Sequence, residues 1–294
     1  MRLCVVVAVQ GGTHLLAPLL ARLDSQMEHG VEVVLAYATG DTASEQAIEA
    51  LPRPWARKVS GPQNAMVPQL WASAIRTTQG CRVALTTVHC QPGSRWVAQV
   101  LGANLDEHAG VGGPIEQGEG SDSVGWAIYF QRYTPFSTEA LGRSAREAEE
   151  IAGDNAVYDR ALLDEVAPSW RTGFWEVDVH AALKKKGHRL AFDPGMGLQH
   201  FNGYTASQFA MQRLRHGFEF GRTRSSAMHG ARQWLYRGLS PAIPLLFGRK
   251  VISRALSHTS ARPHLKQAAP WLLTFLLAWS LGEALGAQVP RRDQ

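Results

Sequence analysis

The residues best suited to chemistry lie between positions 153 and 200 of the 294-residue chain. Gly153 precedes Asp154 and Asn155, whose short polar side chains can orient hydroxyl groups, and a glycine lets the backbone approach a ligand closely. Glu176 comes after them and could act as a general base, with Asp178 in reserve. These residue types, in this order, suit a site that binds a nucleotide sugar and activates a hydroxyl group.

Each of these signals is weak when it is taken alone. Asp154 or Asn155 could cap the N-terminus of an ordinary amphipathic helix. Glu176 could merely begin a helix over residues 177–186, where an acid interacts with the helix dipole by a few tenths of a kcal/mol. That alternative does not explain the Gly-Phe-Trp run before Glu176, so the order and spacing of the motifs favour the catalytic interpretation.

The series of motifs resembles the second half of a family 2 glycosyltransferase with the GT-A fold. The motifs that carry the resemblance are Gly-Asp-Asn-Ala-Val-Tyr-Asp-Arg at 153–160, Gly-Phe-Trp-Glu at 173–176, Pro194 and His200. The resemblance extends over about residues 3–224 and is strongest over 132–200. It implies an enzyme that moves a sugar from a nucleotide-diphosphate donor to a lipid-linked, cell-envelope or natural-product hydroxyl, with inversion at the anomeric carbon.

The resemblance also implies roles for individual residues. Glu176 or Asp178 would be the catalytic base. The residues implied to bind the donor or acceptor are Gln10, Tyr37, Thr87, Asp154, Asn155, Trp175 and Arg213. Tyr37 ends the second predicted strand and could stack on the nucleotide base. Arginine makes bidentate contacts with phosphate, so Arg213 could clamp the diphosphate.

The sequence departs from the family pattern at the metal site. The family's Asp-x-Asp-like motif is replaced by Thr86-Thr87-Val88-His89, which has no carboxylate. One alternative is a divalent metal, such as manganese in place of magnesium, held by His89, Glu176 and His200. Basic residues and helix ends could instead neutralise the diphosphate. A third alternative is a catalytically degenerate protein that binds a nucleotide sugar or glycolipid, with His89 bonded to the backbone.

The segments before these motifs alternate between strand and helix patterns. Apolar runs at 3–9, 31–37 and 82–86 predict buried parallel strands. Helical spacing is present at about 14–29, 68–78 and 94–104. This alternation predicts an α/β fold with a doubly wound mixed sheet, whose ligands bind beyond the carboxyl ends of the strands. We assign this GT-A-like domain to residues 1–205.

The remaining residues, 206–294, form a basic, apolar helical tail. From Phe201 onward the chain has 13 lysines and arginines against three acids, or +10, whereas the first 200 residues have 17 against 22, or −5. The basic residues alternate with aromatic and apolar ones, which favours an anionic membrane surface over nucleic acid. The last apolar run, 268–289, contains Glu283 and has turn-prone breaks at Gly282, Gly286 and Pro290. We therefore expect an interfacial or re-entrant helix, or one packed on a partner, rather than a clean span of about 20 residues.

The cysteines and the N-terminus indicate the compartment. Cys4, Cys81 and Cys90 form no paired framework, which favours a reducing cytosol. The apolar run at 3–9 is too short for a signal-peptide core. We therefore expect a cytoplasmic protein, peripheral at the inner face of the membrane. The sequence indicates no oligomeric state.

Overall fold

The computed structural model describes residues 2–226, 228, 230, 235, 236 and 243–289. The chain forms two compact units, of which the first comprises Met1–Glu119 and Pro135–Gly203 and the second Gly120–Thr134 and Tyr204–Gln294. The second unit therefore takes in a segment that precedes the predicted division at residue 205. Residues 227, 229, 231–234, 237–242 and 290–294 of the predicted tail lie outside the described residues.

The first unit is built on two sheets. Its strands are β1 Leu3–Ala8, β2 Val31–Ala38, β3 Ala56–Gly61, β4 Arg82–Thr87, β5 Cys90–Pro92, β6 Gly110–Gly112, β7 Ile115–Gln117, β8 Arg146–Ala148, β9 Asn155–Asp159, β10 Leu190–Phe192 and β11 Leu198–His200. The larger sheet has the order β3-β2-β1-β4-β9-β6-β10-β8, and the smaller one the order β5-β11-β7. Strands β1 to β4 are parallel, and β9 runs antiparallel between β4 and β6.

Helices cover the larger sheet of the first unit, and others build the second unit. They are α1 Leu16–Asp24, α2 Thr42–Glu49, α3 Val67–Ile75, α4 Trp96–Gly102, α5 Ser123–Arg132, α6 Thr138–Leu141, α7 Arg160–Glu165, α8 Glu176–Lys185, α9 Ala206–Ser226, α10 Ile243–Ser257 and α11 Leu265–Gln288. The odd-numbered residues of β1 pack with α1 and α4, and the even-numbered ones with α3 and α8. Because β1 is covered on both faces, its sequence is continuously apolar. The predicted α/β fold with a doubly wound mixed sheet is confirmed.

Some predicted details are wrong. Residues Asn155–Asp159 form strand β9, so Asp154 and Asn155 do not cap a helix; the helix that follows, α7, is capped by Asp159, which accepts a hydrogen bond from Leu162 N. Helix α2, edge strand β3 and the smaller sheet were not predicted. Strand β3 reads Ala-Arg-Lys-Val-Ser-Gly, and its partly exposed, charged residues lack the apolar run of a buried strand.

In the second unit, helices α9 and α11 pack so closely that their backbones are in contact. A Cβ atom on Gly217 would lie 2.1 Å from Trp279 O, and one on Gly221 would lie 2.2 Å from Glu283 O. The same holds from the other helix, where a Cβ on Gly282 would lie 2.0 Å from Leu214 O. The glycines that we expected to interrupt the last apolar run are therefore contact points, and α11 continues through them and through its internal proline.

We predict that Gly221→Ala destabilises the protein by about 1–3 kcal/mol, because the added methyl group must separate two packed backbones. The matched control is Gly248→Ala in α10, where a Cβ would meet only Leu276 Cδ1, at 3.4 Å. That change should be neutral or stabilise by up to about 1 kcal/mol, since alanine favours helix over glycine. Thermal unfolding of both variants measures the difference. Equal melting temperatures would contradict the tight helix crossing.

Candidate active site

Glu176 begins helix α8, where the backbone of Gly153 holds its carboxylate. Trp175 precedes the helix, and its carbonyl accepts hydrogen bonds from Asp178 N and Val179 N. Gly153 N donates to Glu176 Oε1 at 3.3 Å, and a Cβ on Gly153 would lie 2.9 Å from that oxygen. The predicted close approach of Gly153 is therefore an approach to the candidate base itself.

Trp71 of α3 supports this contact from the core. Its indole N–H donates to Thr86 O at 2.8 Å, at the end of β4, and its ring packs edge-on to Phe174 at 6.4 Å between centroids. A Cβ on Gly153 would also lie 2.9 Å from Trp71 Cζ3. Sequence reasoning missed this role, because the helical spacing of α3 indicates only that Trp71 is a core residue.

His180, one helical turn after Glu176 on α8, forms a buried pair with Tyr158. The Tyr158 hydroxyl and His180 Nε2 share a hydrogen bond of 2.9 Å. Burial raises the pKa of Tyr158 well above its ordinary value, and the charge of Glu176 raises it further. Burial lowers the pKa of His180 to about 4, with a further contribution from Lys184. Both partners are therefore neutral near pH 7.

Asn155 holds several loops together. Its fully buried amide accepts from Trp96 Nε1 at 3.0 Å and donates to Pro114 O at 3.0 Å and to Met196 O at 2.6 Å. This gives Asn155 a structural role that the resemblance did not imply, and its contact with substrate stays a prediction. The preceding residue, Asp154, is also buried.

The two predicted metal ligands, His89 and His200, lie together, with ring centroids 6.3 Å apart. His89 Nε2 is 3.1 Å from Gln10 O, and because a carbonyl only accepts, this nitrogen carries the hydrogen. His200 Nδ1 is 3.1 Å from Gln117 Oε1. Gln117 follows no motif that would have identified it from the sequence.

The loops after β1 and β11 meet beside His89. A Cβ on Gly203 would lie 2.5 Å from Gly12 Cα, and one on Gly12 would lie 2.8 Å from His89 Cε1. Gly12 has a φ of 56°, in the left-handed region. Side chains are therefore excluded at both positions, and the backbone of these two glycines packs directly against the His89 ring.

The donor set does not fit a metal held by the protein alone. Among the residues that the structure describes, no group of three or more His, Cys, Asp or Glu side chains could hold a metal ion. Two imidazoles supply too few ligands for a tetrahedral or octahedral site. Glu176, the third predicted ligand, accepts a hydrogen bond from Gly153 N.

The remaining predicted donor contacts in the first unit lie near strand ends. Gln10 Nε2 donates to Ala65 O at 2.7 Å, and the buried Tyr37 donates its hydroxyl to Glu45 Oε1 at 2.8 Å. That hydrogen bond, together with burial, raises the pKa of Tyr37. Thr87 is buried at the end of β4, and its hydroxyl has no hydrogen-bond partner within the described part of the chain.

Two further predicted residues differ in their surroundings. Asp178 is exposed on α8, two positions after Glu176. Arg213 belongs to the second unit, where its buried guanidinium lies over the rings of Phe209 at 4.9 Å and Trp279 at 5.5 Å. Stacking of this kind stabilises a cation next to aromatic faces. A contact between Arg213 and a diphosphate stays a prediction.

Comparison with known proteins identifies the fold. The chain is similar to the mannosyltransferase PcManGT from Pyrobaculum calidifontis, in complex with GDP-Man and Mn2+, with a TM-score of 0.56 and 15% identity over 96% of this chain and 86% of that one. It is also similar to S. aureus TarS 1-349 in complex with UDP-GlcNAc, with a TM-score of 0.52 and 12% identity over 94% and 90%. No protein-family profile and no curated protein matches the sequence. The predicted GT-A-like fold is thereby confirmed.

We predict that His180 makes the fold sensitive to acid. The unfolded state takes up a proton near pH 6.5, whereas the folded state does so only near pH 4, so stability is lost as the pH falls between these values. Relative to His180→Gln, the wild type should lose about 3 kcal/mol of unfolding free energy over this range. Urea unfolding at several pH values measures it. The exposed His29 is the control, and His29→Gln should retain the wild-type pH dependence; identical pH profiles for wild type and His180→Gln would refute the prediction.

Proposed function

We propose that the protein is a glycosyltransferase that moves a sugar from a nucleotide-diphosphate donor to a hydroxyl acceptor. The observation that carries the proposal is the position of the Glu176 carboxylate, held by Gly153 N next to the start of β9. Strand β9 pairs with the carboxyl end of β4 through Asn155 and Thr86. Ligands of doubly wound folds bind at such ends.

Glu176 is proposed as the general base. Its carboxylate would take the proton of the acceptor hydroxyl while the hydroxyl oxygen bonds to the anomeric carbon of the donor. The bond between that carbon and the diphosphate oxygen breaks, and the nucleoside diphosphate leaves with the electron pair. Attack from the face opposite the leaving group inverts the configuration. Asp178 is the reserve, since the resemblance leaves open which of the two acids is the base.

The donor would lie along the carboxyl ends of the parallel strands. The unsatisfied hydroxyl of Thr87 supports a donor contact at the end of β4, because buried polar groups normally have partners. Gln10 follows β1, and Tyr37 is the next-to-last residue of β2, at the same edge of the sheet. Both solved structures described above are complexes with nucleotide sugars, which is consistent with a donor of this class.

We further propose a lipid-linked, cell-envelope or natural-product acceptor and a cytoplasmic location at the inner face of the membrane. All three cysteines are described, and no disulfide joins them, as is usual in a reducing compartment. The second candidate function is nucleotide-sugar or glycolipid binding without transfer. It is favoured by the sequence at the end of β4 and just after it, where Thr87 and His89 stand in place of the carboxylates of the family motif.

We predict that Glu176→Gln lowers kcat for sugar transfer by about 10²–10⁴-fold, the usual contribution of a positioned base. Donor affinity should change little, since glutamine keeps the oxygen that accepts from Gly153 N. The donor is first identified by a thermal-shift screen of nucleotide sugars, in which ligand at a hundred times Kd stabilises by about 2.7 kcal/mol.

The matched control is Asp178→Asn on the same helix, which should retain transfer. If Asp178→Asn abolishes transfer while Glu176→Gln retains it, the base has been assigned to the wrong carboxylate. A wild-type protein that binds a donor and transfers nothing supports the second candidate function.

We predict that donor binding depends weakly on magnesium, because the described residues lack a carboxylate-rich metal site. Calorimetric titration in EDTA and then in magnesium should give Kd values within about tenfold, or 1.4 kcal/mol. Any dependence on manganese should disappear in His89→Ala and His200→Ala. A strict magnesium requirement that survives His89→Ala would refute this prediction.

A further inference from the structure

Helix α11 exposes an apolar face that neither the fold nor the proposed reaction uses. The face consists of four leucines at four-residue spacing that are 58%, 54%, 55% and 50% exposed: Leu273, Leu277, Leu281 and Leu285. Residues four apart share one face of a helix, so these side chains form a ridge about 18 Å long. We call these residues the leucine ridge. Contiguous exposed apolar surface of this kind marks an interaction site.

The exposed charges in the stretch of chain that contains the leucine ridge are of one sign. Between residues 243 and 289 the sequence has five basic residues and one acid: Arg249, Lys250, Arg254, Arg262, Lys266 and Glu283. Glu283 is 1% exposed, and it accepts hydrogen bonds from the Tyr236 hydroxyl at 2.6 Å and Trp279 Nε1 at 3.2 Å. The exposed charge of this stretch is therefore positive.

We propose that the leucine ridge docks on an anionic lipid surface, with α11 lying in the plane of the interface. Lipid accepts both features at once, since acyl chains receive the leucines and acidic headgroups attract the basic residues. A second copy of the chain fits less well, because a two-fold interface on this face would bring the same five cations together. Nucleic acid would leave the leucines in water. The proposal does not depend on the proposed transferase activity.

The packing of α11 explains why it lies on the membrane rather than across it. Residues Arg262–Gln288 are long and apolar enough to span a bilayer, a property that the core helix of a soluble protein also has. The face that carries Gly282 is, however, in backbone contact with α9. Helix α9 would have to enter the bilayer with it, and α9 carries four arginines and a glutamate. Charged residues are among the most costly to place in the hydrocarbon core.

Vesicle flotation of the full-length protein tests the proposal. We expect binding to phosphatidylcholine vesicles containing about one quarter phosphatidylglycerol, weaker binding to phosphatidylcholine alone, and release at high salt, where charges are screened. Replacing two ridge residues, Leu277→Gln with Leu281→Gln, should lower the partition coefficient by roughly 100-fold, since two leucine side chains no longer enter the apolar phase. The matched control is Val177→Gln, an exposed apolar residue on α8, which should bind like the wild type.

Three outcomes would overturn the proposal. The first is a protein that ignores anionic vesicles at low salt, or whose binding survives the double leucine change while its melting temperature shows that it is folded. The second is resistance to alkaline carbonate extraction from cell membranes, which indicates a spanning helix. The third is a dimer by light scattering that the leucine change dissociates without any vesicle binding, which indicates that a second copy covers the ridge.

Discussion

The contact between Gly153 and Glu176 is the constraint on which the candidate site depends. A residue with a side chain at position 153 would place its Cβ 2.9 Å from both Glu176 Oε1 and Trp71 Cζ3, so only glycine leaves the carboxylate and the indole where they are. The indole N–H of Trp71 in turn donates a hydrogen bond to the carbonyl of Thr86 near the end of β4. A backbone N–H, a carboxylate and a strand end are thus fixed relative to one another through one position without a side chain. Fixed geometry of this kind is what general-base catalysis needs.

His180 lies one helical turn after Glu176, and both His180 and its partner Tyr158 are neutral near pH 7. The pair therefore adds no charge next to the candidate base. A protonated His180 one helical turn after Glu176 would attract its carboxylate and compete with an incoming hydroxyl for the base. Burial lowers the pKa of His180 to about 4, so the imidazole stays neutral at the pH where a carboxylate works as a base. Tyr158 likewise stays protonated. A neutral His180 therefore adds no positive charge one helical turn after Glu176, and the fold loses stability in acid.

The sequence was sufficient to predict the buried parallel strands β1, β2 and β4, but not the parallel edge strand β3. Strand β1 is buried on both faces, so its composition alone identifies it, whereas β3 lies at an edge and has no such signature. Asn155 shows the limit of motif reading, because an amide that binds a sugar and one that joins three loops look alike in sequence. Trp71 has the spacing of any core residue. Its role depends on a neighbour 82 positions away in the chain, Gly153, and only the folded structure shows that proximity.

Glycines allow the close contact at the candidate base, and they are also the reason why the sequence did not predict α11 as a continuous helix. In sequence, two glycines and a proline in an apolar run of marginal length argue against a continuous helix. In the structure those glycines let the backbones of α9 and α11 touch, and burial of the face that carries them holds the helix in place. Length and hydropathy therefore identify a segment able to span a bilayer, but they do not record which helix is packed against it. In the proposed interfacial placement, the four arginines and the glutamate of α9 oppose insertion of α11 across a bilayer.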